Sequence, residues 1–176
     1  MPEFIANHDG TEKQDCERNA AKRWLNAHGA RLKPLRPVYL GDDLFACQPV
    51  AEKVLQSGGD FIFTCKETSH KALYDFIKGA DKDRHDETRR KNGKTETFRY
   101  RWLSSVPLRD GKDAMTVNWL WFQIVDAKGK VKYTMAWVTS LPVTKDTVAE
   151  IVACGRARWK IESVPQAHAR RRFAMN

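Results

Sequence analysis

Three acidic residues stand where this sequence could support metal chemistry. Asp42 and Asp43 follow the short apolar run at residues 38–40, and Glu162 lies near the end of "GRARWKIES", residues 155–163. Carboxylate oxygens are the ligands that Mg²⁺ prefers, and the bound ion keeps coordination positions for water and phosphate. Two such ions can clamp the attacking and leaving oxygens of an in-line phosphoryl transfer. An aspartate at a strand end and a glutamate on a packed helix could therefore share a divalent cation.

Each of these acids also has an ordinary structural explanation. An aspartate after a strand commonly accepts hydrogen bonds from the next backbone amides in a turn, and Glu162 could be an exposed acid at a helix end. The helical spacing instead favours a position for Glu162 on the buried face of a helix. Apolar residues recur on one face of a helix that begins after Pro142 with Thr144 as its N-cap, and Glu162 falls in the same stripe. The members of this stripe are Val148, Ile151, Val152, Gly155 and Trp159. A buried acid is costly unless a partner neutralises it.

The first half of the chain alternates predicted helices and strands. A helix is expected over residues 11–28, with a capping box at Thr11 and Gln14 and a stop at Gly29. A buried strand at 38–40, a helix in "CQPVAEKVLQSGG", a buried strand in "DFIFTCKE" and a helix in "SHKALYDFIKGA" follow. This order predicts an α/β sheet core, and ligands gather at the carboxyl ends of the strands in such sheets.

The second half of the chain has a different pattern. Residues 79–96, "GADKDRHDETRRKNGKTE", are almost wholly charged or polar and predict a solvated loop. Residues 97–139 are rich in strand formers, and "DAKG" predicts the turn of a hairpin. Three tryptophans, Trp119, Trp121 and Trp137, lie in this hairpin. Large aromatic side chains usually fill a core, although an indole is also suited to stacking on a base.

Composition limits the class of protein. The 176 residues include 31 Lys and Arg against 22 Asp and Glu, a net charge of +9 that favours a polyanionic partner such as nucleic acid. The four cysteines form no CxxC pair, which argues against a zinc ribbon and against a secreted disulfide framework. No apolar run reaches the roughly 20 residues of a membrane span. We therefore expect a cytoplasmic protein without a membrane partner.

Three motifs, taken together, resemble the DDE transposases of the IS4-like superfamily of bacterial insertion sequences. They are "VYLGDDLFACQPV", "GGDFIFTCKETSHKALYDF" and "GRARWKIE", and "EKQDCERNAAKRWL" also matches a helix of one branch. The resemblance implies an RNase H-like α/β fold with a β-strand-rich insertion before the last catalytic helix. It makes Asp42 the second and Glu162 the third metal-binding acid, with Mg²⁺ or Mn²⁺ as the cofactor.

The same resemblance implies an enzyme of DNA transposition. In the family, metal-activated water cuts DNA at the ends of the element, and the freed 3′-hydroxyl attacks target DNA. Arg158, four residues before Glu162, fits the R-x-x-x-E part of the family's Y-R-E-K signature, whose basic residues hold phosphates. Arg156 and Lys160 are further candidates for DNA contacts, and one of the three hairpin tryptophans could stabilise a flipped base. A homodimer acting in the bacterial cytoplasm, near the nucleoid, is expected by family.

The sequence departs from the family pattern in several places. The chain starts close to the helix at 11–28, so the first three strands of the family's sheet, with the first catalytic Asp, are expected to be missing. Gly155 and Ala169 stand where the signature has Tyr and Lys.

We expect a core portion at 1–78, a charged loop and β-rich insertion at 79–141, a catalytic helix at 142–162 and an unrelated basic tail at 163–176. A partial copy that does not cleave DNA by itself is therefore predicted. A non-catalytic DNA-binding fragment that interferes with an intact transposase, and a pseudogene product, are the alternatives.

Overall fold

Helices and strands alternate in the first half of the molecule, and long strands make up most of the second half. The computed structural model describes residues 16–91 and 93–158. The helices are α1 (Glu17–Leu32), α2 (Gln48–Gln56), α3 (Lys71–Lys78) and α4, residues 148–158, and a 3₁₀ turn spans Lys33–Leu35. The strands are β1 (Val38–Gly41), β2 (Asp60–Thr64), β3 (Asp83–Lys91), β4 (Lys94–Pro107), β5 (Thr116–Asp126) and β6 (Val131–Thr139). The predicted α/β class is confirmed.

The strands form one mixed sheet in the order β1-β2-β6-β5-β4-β3. β1 and β2 are parallel, and every other neighbouring pair is antiparallel. Because β6 pairs with β2, the β-rich segment continues the sheet that β1 and β2 begin. β2 is buried as predicted, whereas β1 is an edge strand of the described sheet and Val38 is 42% exposed. The prediction of a buried strand at residues 38–40 was therefore wrong, because only one edge of β1 is paired.

Helices cover both faces of the sheet, and each face has its own hydrophobic core. On one face, which we call the α1–α3 core, alternate residues of β2 such as Phe61 and Phe63 pack against Leu25, Val54 and Leu73 of the three helices. On the other face, the α4 core, Ile62, Leu120 and Phe122 pack against Val148 and Ile151. Period-two alternation along each strand sends neighbouring residues to opposite faces. In the described residues, no helix is long and apolar enough to cross a membrane.

The charged segment is a strand and not the predicted solvated loop. β3 pairs with β4 over its whole length, from Asp83 opposite Trp102 to Lys91 opposite Lys94, and Gly93 takes a positive φ of 72° in the turn. Contacts with aromatic residues of β4 explain why this polar segment forms a strand. Glu87 accepts a hydrogen bond from the Tyr100 hydroxyl at 2.7 Å, and the Arg89 guanidinium lies 4.6 Å from the centre of the Phe98 ring. Glu87 and Arg89 of β3 therefore contact aromatic side chains of β4 across the strands.

Both ends of α1 differ from the sequence expectation, whereas the predicted N-cap of α4 is confirmed. Cys16 is extended, so α1 begins at Glu17, and the predicted capping residues Thr11 and Gln14 lie outside the described residues. α1 also continues past Gly29 to Leu32. The glycine serves packing and not termination: a Cβ there would lie 2.5 Å from Ser57 Cβ at the end of α2. Before α4, the Thr147 amide donates to the Thr144 hydroxyl at 3.3 Å, as a helix N-cap requires.

Candidate active site

A cleft of about 620 Å³ opens at the carboxyl ends of the two parallel strands. Loops that follow β1 and β2, the start of α2 and a segment after β4 enclose it. This is the location at which open α/β sheets bind ligands. The charged and polar residues that line it are Arg18, Asp42, Asp43, Gln48, Lys66, Ser69, His70 and Arg109. Both predicted aspartates therefore lie in the cleft.

Asp42 occupies the first position after β1. Its Oδ1 accepts the Leu44 amide at 2.9 Å, and its carbonyl oxygen accepts the Phe45 amide at 3.2 Å, so the chain turns tightly into the cleft wall. The preceding position is a glycine, Gly41, because a neighbouring side chain leaves no room for a larger residue: a Cβ there would lie 2.7 Å from the Phe63 ring. The turn chemistry expected of an aspartate is thus present, and it holds a carboxylate at the mouth of the cleft.

Asp43 connects the two loops of the cleft. Its Oδ1 accepts the Lys66 amide at 2.6 Å and lies 3.3 Å from His70 Nε2. The His70 side chain is only 10% exposed, and its buried Nε2 has no aligned hydrogen-bond partner within the described residues. Asp43 therefore braces the loop after β1 against the loop after β2, a different task from that of Asp42.

Cationic side chains line the same cleft as the two acids. Lys66, Arg18 and Arg109 line the cleft, and Arg109 donates to Gln48 at 2.8 Å and pairs with Asp113. Positive charge at a cleft attracts phosphates and strengthens binding at low salt. The arrangement is suited to an anionic substrate held beside a carboxylate.

Two neighbouring groups stay protonated at neutral pH. Burial, with a smaller effect of the Asp43 charge, raises the pKa of the Cys65 thiol well above its usual range. Burial also raises the pKa of Tyr74 to about 12, and the Tyr74 hydroxyl donates to the Cys65 carbonyl at 2.8 Å. A protonated thiol is a poor nucleophile, so covalent catalysis by Cys65 is disfavoured.

The C-terminal candidates are only partly within the described residues. Glu162 and Lys160 lie outside them, whereas Arg156 and Arg158 are on α4. The Arg156 guanidinium lies 4.8 Å from the ring centre of Tyr133 and 5.4 Å from that of Phe122. Among the residues that the structure describes, no three His, Cys, Asp or Glu side chains cluster as a metal site.

α4 runs in the same direction as β2. It begins shortly after Thr139, which pairs with Ile62, and Gly155 lies against Trp137, which pairs with Thr64. One residue further, Arg156 reaches Tyr133, nearer the start of β6. Because β6 is antiparallel to β2, the helix advances toward the carboxyl end of β2, the end at which the cleft opens. The predicted inward positions Val148, Ile151, Val152 and Gly155 are buried.

The three hairpin tryptophans differ in exposure. Trp137 is 2% exposed and Trp119 is 4% exposed, so both are core residues. Trp121 is half-buried and packs at the margin of the α1–α3 core. Of the three, Trp121 has accessible ring surface for a ligand.

Residues after β2 were missed by the sequence reasoning. Lys66 and His70 both line the cleft, and both belong to "CKETSH", a part of the motif "GGDFIFTCKETSHKALYDF" for which no site residue was predicted. The loops that follow two adjacent parallel strands meet at one edge of the sheet. The charged residues after the second strand could have been assigned to the site for that reason.

The chain matches one family model. No curated protein sequence matches it. The model for the transposase DDE domain matches residues 6–170, nearly the whole chain, and includes the cleft. The mixed six-stranded sheet is compatible with that domain. DNA is the substrate implied by this match, and the implied chemistry is that of nucleases and transposition. The chain belongs to the transposase DDE domain family.

Proposed function

We propose that this protein is an IS4-like transposase that cuts and joins DNA by metal-dependent phosphoryl transfer. The observation that carries the proposal is the position of Asp42, directly after β1 and inside a cleft lined by cationic side chains. A carboxylate beside phosphate-attracting groups is what metal-assisted cleavage of DNA requires. The ends of an insertion sequence and a target duplex would be its DNA partners, bound by a homodimer.

Asp42 and Glu162 are the proposed ligands of Mg²⁺ or Mn²⁺. Both are carboxylates, which suit these hard cations. The direction of α4, toward the end of the sheet at which Asp42 lies, supports the pairing, because Glu162 follows Arg158 by four residues in the sequence. A bound divalent cation would supply electrostatic stabilisation of the charge that develops on the phosphate. Asp43 is proposed as a positioning residue that holds the loop of Asp42.

The proposed DNA contacts come from α4 and the hairpin. Arg158 and Lys160 would bind phosphates by the resemblance to the family signature. Arg156 is half-buried, and its guanidinium lies over two aromatic rings, which orient it. Trp121 is proposed for base stacking ahead of Trp119 and Trp137, because those two indoles are buried.

We further propose that the strand with the family's first catalytic Asp pairs with the outer edge of β1. Within the described residues this edge has no strand partner. An unpaired strand edge presents backbone groups that readily accept another strand. The strand would bring its Asp to the same end of the sheet as Asp42. It would come from a further segment of the protein or from another polypeptide, and this chain would act as a partial copy.

Mn²⁺ binding tests this proposal directly. The purified chain is titrated with Mn²⁺ and followed by electron paramagnetic resonance, for wild type, Asp42→Asn, Glu162→Gln and the control Asp75→Asn. Asp75 is an exposed acid on α3, paired with Lys78 and absent from the cleft lining. We expect the first two variants to weaken Mn²⁺ binding by at least about tenfold, since loss of even an outer-shell partner costs that much. The control should bind as wild type does.

Two other results would change the proposal. Equal Mn²⁺ affinity in all four proteins, with salt-sensitive DNA binding, would reject the metal site and favour the non-catalytic DNA-binding fragment. Plasmid nicking in Mg²⁺ by the chain alone, abolished by Asp42→Asn, would show that no further strand is needed. We expect no such nicking.

A further inference from the structure

The outer half of the sheet has a basic surface whose arginines do not line the cleft. Two arginines on β3 and two on β4 lie on it, next to two residues of β5. We call this surface the arginine face; it consists of Arg84, Arg90, Arg99, Arg101, Trp121 and Gln123. Neither Arg84 nor Arg99 lines the cleft, and the family signature does not include them.

Strand register places these side chains on one face. Arg84 is opposite Arg101, and Arg101 is opposite Trp121; in the next row, Arg99 is opposite Gln123. Directly opposite residues on paired strands share a face. Trp121 packs at the margin of the α1–α3 core, so the arginine face is on the same side of the sheet as the cleft. The reverse side of these strands carries Phe98, Tyr100 and Phe122.

The charges on this face are poorly balanced. Asp86 is opposite Arg99 and pairs with Arg101, and it is the one acid that the register places among the four arginines. Arg84 and Arg90 are exposed and make no side-chain hydrogen bond or ion pair with another described residue. Arg84 also stands directly opposite Arg101, and like charges in that position are destabilising. A bound anion would relieve this repulsion.

The face is continuous with the cleft. The Cys65 amide at the end of β2 donates to the Ala136 carbonyl at 2.9 Å, and Ala136 is opposite Trp121. The row therefore runs from β2 through Trp121 and Arg101 to Arg84 at the sheet edge. Tyr74 of α3 packs edge-on against Trp119, which precedes Trp121 on the same face of β5. α3 therefore covers Trp119 and leaves Trp121 half-buried. Four strand spacings of about 4.8 Å separate β2 from β3, roughly 19 Å.

We propose that the arginine face binds the phosphate backbone of the DNA duplex that flanks the cleft. Roughly 19 Å corresponds to about six base pairs at 3.4 Å each. Guanidinium groups bind phosphate by paired hydrogen bonds. This suits Arg84 and Arg90, which have no hydrogen-bond or ion-pair partner among the described residues, and the exposed Arg99, whose side chain donates a 3.4 Å hydrogen bond to Gln123. The contacts are to the backbone and carry no base sequence information. The inference rests on the proposed function only for the identity of the ligand, DNA.

Salt-dependent DNA binding tests the proposal. Fluorescence anisotropy with a labelled 30-base-pair duplex, in EDTA so that no cleavage occurs, gives the affinity at several salt concentrations. The test variant is Arg84→Ala/Arg99→Ala. We expect the slope of log affinity against log salt to fall in magnitude by about 1.8, at roughly 0.9 for each lost phosphate contact. The affinity at 0.1 M salt should drop by at least about tenfold.

A matched control removes two cations from the reverse side. Arg89 lies over Phe98, and the Lys132 ammonium pairs with Glu96, which is opposite Arg89. Arg89→Ala/Lys132→Ala should keep the wild-type slope, and so should the charge-conserving Arg84→Lys/Arg99→Lys. If Arg84→Ala/Arg99→Ala retains the wild-type slope, or if the control loses as much, the arginine face does not bind DNA.

Failure of this inference can be told apart from failure of the proposed function. Asp75→Asn, outside both the cleft and the arginine face, should bind the duplex with the wild-type slope, because it removes no phosphate contact of the arginine face. A normal Mn²⁺ result with an unchanged slope in Arg84→Ala/Arg99→Ala rejects only the arginine face. A reduced slope in that variant, with Mn²⁺ binding that does not depend on Asp42, rejects only the metal site.

Discussion

At the scale of single residues, neighbours of the same type or in the same motif have different tasks. Asp42 turns the chain at the mouth of the cleft, whereas Asp43 braces two loops through Lys66 and His70. Gly155 stands where the family signature has Tyr, and its lack of a side chain lets α4 approach the sheet. A Cβ at this position would lie 2.9 Å from two atoms of the Trp137 indole. Packing, and not contact with DNA, therefore explains the glycine.

Gly155→Ala should destabilise the protein although alanine favours helices. The added methyl group meets a fully buried indole, and overpacking of this kind costs about 1–3 kcal/mol, against a gain in helix propensity of up to about 1 kcal/mol. We expect a net loss of about 1 kcal/mol in the free energy of unfolding, measured in urea. Gly79→Ala is the matched control, because no described residue beyond its chain neighbours would crowd the added methyl group within 4 Å. A Gly155→Ala protein as stable as wild type would show that α4 can shift on the sheet.

At the scale of elements, the β3–β4 hairpin shows how a charged segment becomes a strand. Its side chains alternate between an aromatic side, where Glu87 and Arg89 contact β4, and the arginine face. Asp86 moderates the repulsion on that face. The hydrogen bond from Arg101 is the main cause that lowers the pKa of Asp86, and the charges of Arg99 and Arg84 add to it. Charge along a sheet edge also discourages pairing with other chains.

Asp86→Asn should lower stability in a pH-dependent way. Because the folded-state pKa of Asp86 is below its unfolded value, the carboxylate stabilises the fold above the unfolded pKa, about 3.9. This contribution is lost as pH falls through the folded pKa. The difference in unfolding free energy between wild type and variant should thus be present at pH 7 and shrink below about pH 4. Urea unfolding at pH 7 and pH 3, at low salt, measures it. A difference that is the same at both pH values would contradict the role of the charge.

At the scale of the whole molecule, a single sheet separates two cores. β2 contributes Phe61 and Phe63 to the α1–α3 core and Ile62 to the α4 core. β5 does the same with Trp119 and Leu120. Side chains of one strand on opposite faces share a backbone, so loss of either core should disturb the strands of the other. The segment at 79–141, expected to be an insertion, is joined to β2 through β6.

We expect the chain to unfold as one cooperative unit. Urea transitions followed by far-UV circular dichroism and by tryptophan fluorescence should coincide. Val54→Ala, in the α1–α3 core, and Val148→Ala, in the α4 core, should each lower the free energy of unfolding by about 2 kcal/mol by both probes. Separate transitions, with Val148→Ala affecting only one of them, would indicate that the long strands form an independently folding unit.

The sequence alone determined the local features with strong patterns. The alternation of helices and strands up to α3, the β5–β6 hairpin and the buried stripe of α4 all follow from hydrophobic periodicity, which depends on near neighbours. The place of Asp42 after a strand followed in the same way. Glu162 remains a prediction from spacing, because it lies outside the described residues.

The tertiary structure decided what depends on partners distant in the chain. β3 is a strand because Tyr100, Phe98 and Arg101 give its charges partners across the sheet. Trp119 and Trp137 are core residues because helices cover both faces. Lys66 and His70 join Asp43 because parallel strands end together. Residue type limits what a side chain can contact, but long-range pairing determines which contact is made, and no short window of sequence contains that pairing.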